Sequence, residues 1–174
     1  MMLRDLEKVR QLQRGHLAAQ WYVAFALHTA GQEQAAVEAM FEALQRNARF
    51  DVDGDVRILD PELQRALPEV VQIAETLLAD DPDNADFLLL RAGAQWRQEA
   101  WAEAAADVEQ VLQSDGAPPF AYVVRGAIQL HRRQYDEAAS DFESALAADP
   151  RQLIAMVGLA QTHEARGDYP AARE

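Results

Sequence analysis

Cysteine is missing altogether, and lysine is reduced to Lys8. The first absence removes disulfides, thiol nucleophiles and thiolate metal sites, while leaving the compartment open. The second leaves arginine to carry almost all of the positive charge. Glycine and proline are sparse, at eight and seven in 174 residues, and no Ser-, Gly- or Pro-rich tract marks a linker. No apolar run approaches the ~20 residues that cross a bilayer, so membrane insertion is not expected. The first residues, Met1-Met2-Leu3-Arg4-Asp5-Leu6-Glu7, are charged and lack the apolar segment of a secretory signal. The expected setting is cytoplasmic, for a whole protein or part of a longer one. Positive charge is also outweighed: the net charge is −13. A surface of that sign repels phosphate backbones, which argues against a nucleic-acid partner.

Catalytic signatures are lacking as well. His16, His28, His131 and His163 are scattered, with no His-x-x-x-His pair, and His163-Glu164 has no second histidine beside it. Ser114, Ser140 and Ser144 lie outside any Gly-x-Ser-x-Gly turn, and no Gly-rich loop follows a strand. Carboxylate pairs such as Asp80-Asp81 fall at helix ends, where they serve as caps. No enzymatic activity is expected.

What is present is a real core and a period. Apolar residues make up 49% of the chain and charged residues 26%, as in a globular domain. Pro119 to Pro150 reads as two short helices, Phe120 to His131 and Tyr135 to Ala147, joined by Arg132-Arg133-Gln134. Tyr135, Ala138, Phe142 and Ala145 form one apolar stripe at helical spacing. The marks recur: Trp101, Tyr135 and Tyr169 are 34 residues apart, as are Ala104, Ala138 and Ala172. Small residues at 92, 126 and 160 allow paired helices to approach closely. The aromatic at 101, 135 and 169 fills the gap to the next hairpin. A fixed period of this length marks an all-α solenoid of stacked antiparallel hairpins.

In chain order, residues 1–50 read as N-terminal helices ending in a degenerate hairpin from 17. Gly31 there falls where Gly167 falls, and Ala36 where Ala172 falls. Residues 51–62 are an acidic connector, and 63–84 a bridging helix opened by Pro61, with Pro68 inside it or at its true start. Residues 85–174 carry repeats at 85–118, 119–152 and an incomplete 153–174. The last helix begins at Tyr169-Pro170, and Glu174 follows within a turn. The apolar face left open there is expected to meet further chain or a second subunit, giving a homo-oligomer.

The central unit resembles the tetratricopeptide repeat (TPR). Tyr122, Gly126, Ala138, Phe142 and Pro150 stand where that repeat has Trp, Gly, Ala, Phe and Pro. Met156, Leu159, Ala160, Gly167-Asp168-Tyr169 and Ala172 echo it, as do Leu88, Ala92, Trp101, Ala104 and Val108. Arg91 and Arg125 depart from it, in a usually apolar place, and Gly116 replaces a closing proline. The resemblance implies a right-handed superhelix whose first helices line a groove for a peptide or helix of a protein partner. Carried over, the groove residues are Leu89, Gly93, Trp96 and Arg97, then Val123, Ala127, Leu130 and His131, then Val157, Gln161 and Glu164. The degenerate repeat adds Trp21, Phe25 and His28. The family's Lys/Asn/Arg carboxylate clamp has no match on these faces, which are apolar and aromatic. A hydrophobic peptide or helix suits them, with Trp96, Arg97 and His131 as the leading contacts.

Residues 51–62 also resemble an EF-hand calcium loop. Asp51, Asp53 and Asp55 occupy loop positions 1, 3 and 5, Arg57 offers its backbone carbonyl at 7, and Glu62 stands at 12. Position 6 is Val56, where the sharp turn needs glycine. A solvated acidic connector with no cofactor is therefore the leading expectation, and a calcium-responsive adaptor the alternative.

Overall fold

The structure, a computed structural model, describes residues 17–46, 61–114 and 116–167. Among these residues there are helices and no strands. In chain order they are α1 (Leu17–Thr29), α2 (Glu33–Arg46), α3 (Pro61–Asp80), α4 (Ala85–Arg97), α5 (Trp101–Leu112), α6 (Pro119–His131), α7 (Tyr135–Ala148) and α8 (Leu153–Arg166). The helices expected from the period are present within a residue or so of their expected ends. The C-terminal turn at Tyr169 and everything before Leu17 lie outside the described residues.

The turns show why the hairpins close at a regular interval. After α1, α4 and α6 the chain makes one and the same reversal. Gln32, Ala100 and Gln134 each donate a backbone N–H five residues back, to Leu27, Gln95 and Gln129. Gly31, Glu99 and Arg133 donate three residues back, which completes the Schellman arrangement. The pivot residue is left-handed at Gly31, Glu99, Arg133 and Gly167, with φ of 72°, 61°, 60° and 89°. Glycine takes that conformation freely, whereas Glu99 and Arg133 are strained by their Cβ atoms. Helix starts are marked differently. The Asn84 side chain accepts from the N–H groups of Asp86 and Phe87 at the head of α4, and Pro119 opens α6. Pro68 does not start α3. It lies inside the helix, on the exposed face, where water can reach the interrupted hydrogen-bond ladder.

Packing follows two rows. α2 packs beside α4, α4 beside α6 and α6 beside α8, so these four line up as one continuous row. α1 instead stands beside α3. Two hydrophobic cores result. The first unites α1, α2 and α3 with Leu90 and Ala94 of α4. The second unites Leu88, Leu89 and Ala92 of α4 with α5 through α8. α4 thus belongs to both. Within the second core, Phe142 of α7 is 1% exposed and lies between the glycines of two row helices. A Cβ on Gly126 would stand 3.0 Å from its ring, and one on Gly158 only 2.4 Å.

The two arginines that depart from the repeat pattern are explained by partners on the returning helix. Arg91 donates Nε and one terminal nitrogen to the two oxygens of Asp107, both at 2.7 Å, and Arg125 does the same to Asp141. Each pair is 16 residues apart, and the pairs are one period apart. The hydrogen bonds to Asp107 and Asp141 hold both guanidinium groups above their ordinary pKa, against partial burial. Glu75 and Glu109, on the preceding hairpin edge, add to this in turn. Glu109 is 3.9 Å from Arg125. Glu109, Arg125 and Asp141 thus link two hairpins through charge, and the arginine series ends where Leu159 takes the next position.

Candidate functional site

Among the described residues, two clefts lie along the row of α2, α4, α6 and α8. The first, of about 230 Å³, is lined by Trp96, Ala127, Leu130, His131 and Gln161, all expected groove positions, and also by Trp101, Phe142, Ile154 and Gly158. Trp96 ends α4, Leu130 and His131 end α6, and Gly158 and Gln161 sit on α8. The C-terminal ends of α4 and α6 meet α8 there. The His131 ring stacks on Trp101 of the preceding hairpin, with centroids 4.1 Å apart and planes within 10°. That stack confirms Trp101 as a filler between hairpins.

Arg97 is not in this cleft. It is 8% exposed, with one nitrogen donating to Leu44 O at 2.6 Å and another to Gly93 O at 3.1 Å. Its guanidinium lies 4.4 Å from the Trp96 ring centroid. Leu44 is in the last turn of α2, whose carbonyls have no partner within the helix. Arg97 supplies that donor from the neighbouring helix and brings a cation to the negative end of the α2 dipole. Burial pushes its pKa down to about 9, so it remains a cation at neutral pH. Its expected role as a partner contact is corrected by this position: it holds α2 to α4, and Trp96 covers it.

Other expected groove residues also fall elsewhere. Val123 is 0% exposed inside the second core, with no surface to present. Leu89 is 2% exposed and belongs to that core, although it forms part of the floor of the second cleft. Phe25 packs against the first core, and α1 lines neither cleft. His28 is half-buried at the end of α1. Trp21 lies on α1 with its side chain outside the described residues. The physical reason is a lateral shift. α2, not α1, stands in the row of first helices, so the described side chains of α1 line neither cleft. Asp51, Asp53, Asp55 and Arg57 lie outside the described residues, as does the side chain of Glu62 in the first turn of α3.

The second cleft, of about 420 Å³, lies where α2 meets the N-terminal ends of α4 and α6. Val37, Phe41, Leu89, Pro118 and Phe120 form its apolar part, and Glu38, Glu42 and Asp86 its charged part. Only Leu89 among these was an expected groove residue. The signal for Val37 and Phe41 was the apolar spacing of α2, had that helix been placed in the groove row. Among the described residues no group of three or more His, Asp or Glu could hold a metal, and no helix is long and apolar enough to cross a membrane.

Stacked antiparallel hairpins with a groove along one row define the class of helical-repeat proteins. The family model for the tetratricopeptide repeat matches residues 71–121 and 125–174, together more than half of the chain. The chain belongs to the tetratricopeptide repeat family, whose members generally mediate protein–protein interactions. A crystal structure of a tetratricopeptide repeat protein from Parabacteroides merdae is similar over 98% of this chain and 68% of that one, with a TM-score of 0.53 and 18% identity. That likeness concerns the fold alone. No curated protein matches the chain.

Proposed function

We propose that, in the cytoplasm, this protein is an interaction scaffold that holds a peptide or helix of a partner along the α2–α4–α6–α8 row. A bulky apolar side chain of that partner would enter the cleft between Trp96 and His131. The observation that supports this most is the convergence of Trp96, Leu130 and His131 from two helices onto one cleft. A dry cavity of about 150 Å³ already accepts benzene, so a cleft of this size accommodates an aromatic ring. Tryptophan at such a place is a typical hot spot.

The test is a peptide library selected on the wild-type protein and then measured on Trp96→Ala and Leu130→Ala. Loss of a hot spot of about 2 kcal/mol weakens binding roughly 30-fold. Unchanged affinity in both folded variants would remove the cleft from the binding surface. A second reading, self-association, is favoured by Leu153 and Met156, which are 48% and 49% exposed one turn apart on α8. A mass that rises with concentration in light scattering, and falls back in Met156→Lys, would support it.

A further inference from the structure

We infer that the second cleft on the row receives a basic amphipathic segment of the partner, with apolar side chains on the floor and lysine or arginine at the rim. This partner class rests on the groove proposal above and narrows it. The floor is formed before any ligand arrives. Phe120 is 2% exposed and is met edge-on by Phe41, with centroids 6.3 Å apart, and by Trp96 at 6.4 Å. Gly93 lets it settle against α4, since a Cβ there would stand 2.9 Å from the ring. Among the described lining residues the charge has one sign: Glu38 and Asp86 are exposed, Glu42 is half-buried, and none is arginine or lysine. A partner cation is drawn to the exposed Glu38 and Asp86, and a partner carboxylate is repelled by them. The net charge of −13 draws cationic segments toward the molecule, and the cleft adds an apolar floor to that attraction. An acidic or uncharged apolar segment would use half of what the cleft offers.

The test uses fluorescence anisotropy with a labelled helical peptide of about five turns, built from leucine on one face and lysine on the other. Matched peptides carry glutamine or glutamate in place of lysine. The proteins are wild type, Glu38→Gln with Asp86→Asn, Glu38→Lys alone, Trp96→Ala, and a control with Glu137→Gln and Glu143→Gln on the exposed face of α7. The control removes the same charge away from the cleft. The lysine peptide should bind wild type, weaken about tenfold on the rim variants, and change less than about twofold on the control. Raising salt from about 0.05 M to about 0.5 M should remove most of the rim effect. Equal loss on the rim variants and the control would overturn the proposal, because it would mean unspecific attraction to an acidic surface. Equal binding of the glutamine peptide would overturn it too. Loss on Trp96→Ala with no rim effect would leave the groove standing and sink the charged cleft. A rim effect with no loss on Trp96→Ala would support the charged cleft and sink the aromatic one.

Discussion

Replacing Gly158 with alanine adds one methyl group at the tightest point of the second core. Its Cβ would stand 2.4 Å from two carbons of the Phe142 ring, whereas ordinary contact begins at 3.4 Å, so about 1 Å must be found. The ring cannot simply retreat, because the position of a Gly126 Cβ is 3.0 Å away on α6. Either α8 moves outward from α7 or Phe142 leaves its rotamer. Overpacking of this kind costs about 1–3 kcal/mol. Alanine in a helix returns about 1 kcal/mol over glycine. The net expectation is a loss of up to about 2 kcal/mol, or up to roughly 4–8 °C in melting temperature for a chain of this size. Gly126→Ala, with its 3.0 Å contact, should come out nearer to neutral. The decisive assay is a double-mutant cycle by urea denaturation. Phe142→Leu should make Gly158→Ala less damaging by more than about 1 kcal/mol. If Gly158→Ala instead melts at or above the wild-type temperature, helix propensity outweighs the close contact, and the idea of Phe142 as a wedge between the two helices fails.

Asp141→Ala should cost about 1–3 kcal/mol, near the lower end because the Arg125 side chain left behind is 28% exposed and can be hydrated. Thermal melts of Asp141→Ala, Arg125→Leu and the double variant would show the coupling, and additive losses would refute it. The raised pKa of Arg125 means that its share of this stability is complete below the unfolded value and is lost only at still higher pH, so the loss should not vary across ordinary buffers. Arg97 behaves oppositely. Its folded pKa, about 9, lies below the unfolded value, so the cost of burying the cation is full below that pH and eases above it. Wild type should therefore gain on Arg97→Met between about pH 8 and about pH 10, and a constant gap in melting temperature would contradict this. Arg133→Gly should stabilise by up to about 1 kcal/mol, since the left-handed penalty disappears while glycine's extra chain entropy offsets part of the gain. A lower melting temperature would show that the Arg133 side chain matters more than its backbone. Calorimetric titration of calcium should give no heat, because Val56 occupies the place where the loop must turn sharply, and a saturating isotherm would restore the calcium-responsive alternative.

The hairpins were legible because their signals are local. The 34-residue recurrence, the small residues at the closest approach and the residues of the reversal all lie within a few turns of what they determine. Trp96, Leu130 and His131 were legible for the same reason, since each ends a helix whose neighbours follow at a fixed interval. Arg97, Val123 and α1 were not. Val123 is taken up by the second core. The surroundings of Arg97 and α1 depend on which helix of the first hairpin enters the row, and Gly31 and Ala36 match the repeat in a way that points to the wrong one. Nothing local says that Leu44 will place a carbonyl over Arg97. The pairs Arg91–Asp107 and Arg125–Asp141 were within reach: an aspartate stands 16 residues after each anomalous arginine, one period apart.

Because α4 faces a different apolar partner on each side, it cannot serve as the first brick of a transplantable module. A fragment beginning at Ala85 would strand Leu90 and Ala94 in water and leave the Arg97 guanidinium without the Leu44 carbonyl it was built to meet. Damage on either side of this shared wall should therefore be felt on the other, and engineered chimeras should be joined beyond α4 rather than before it.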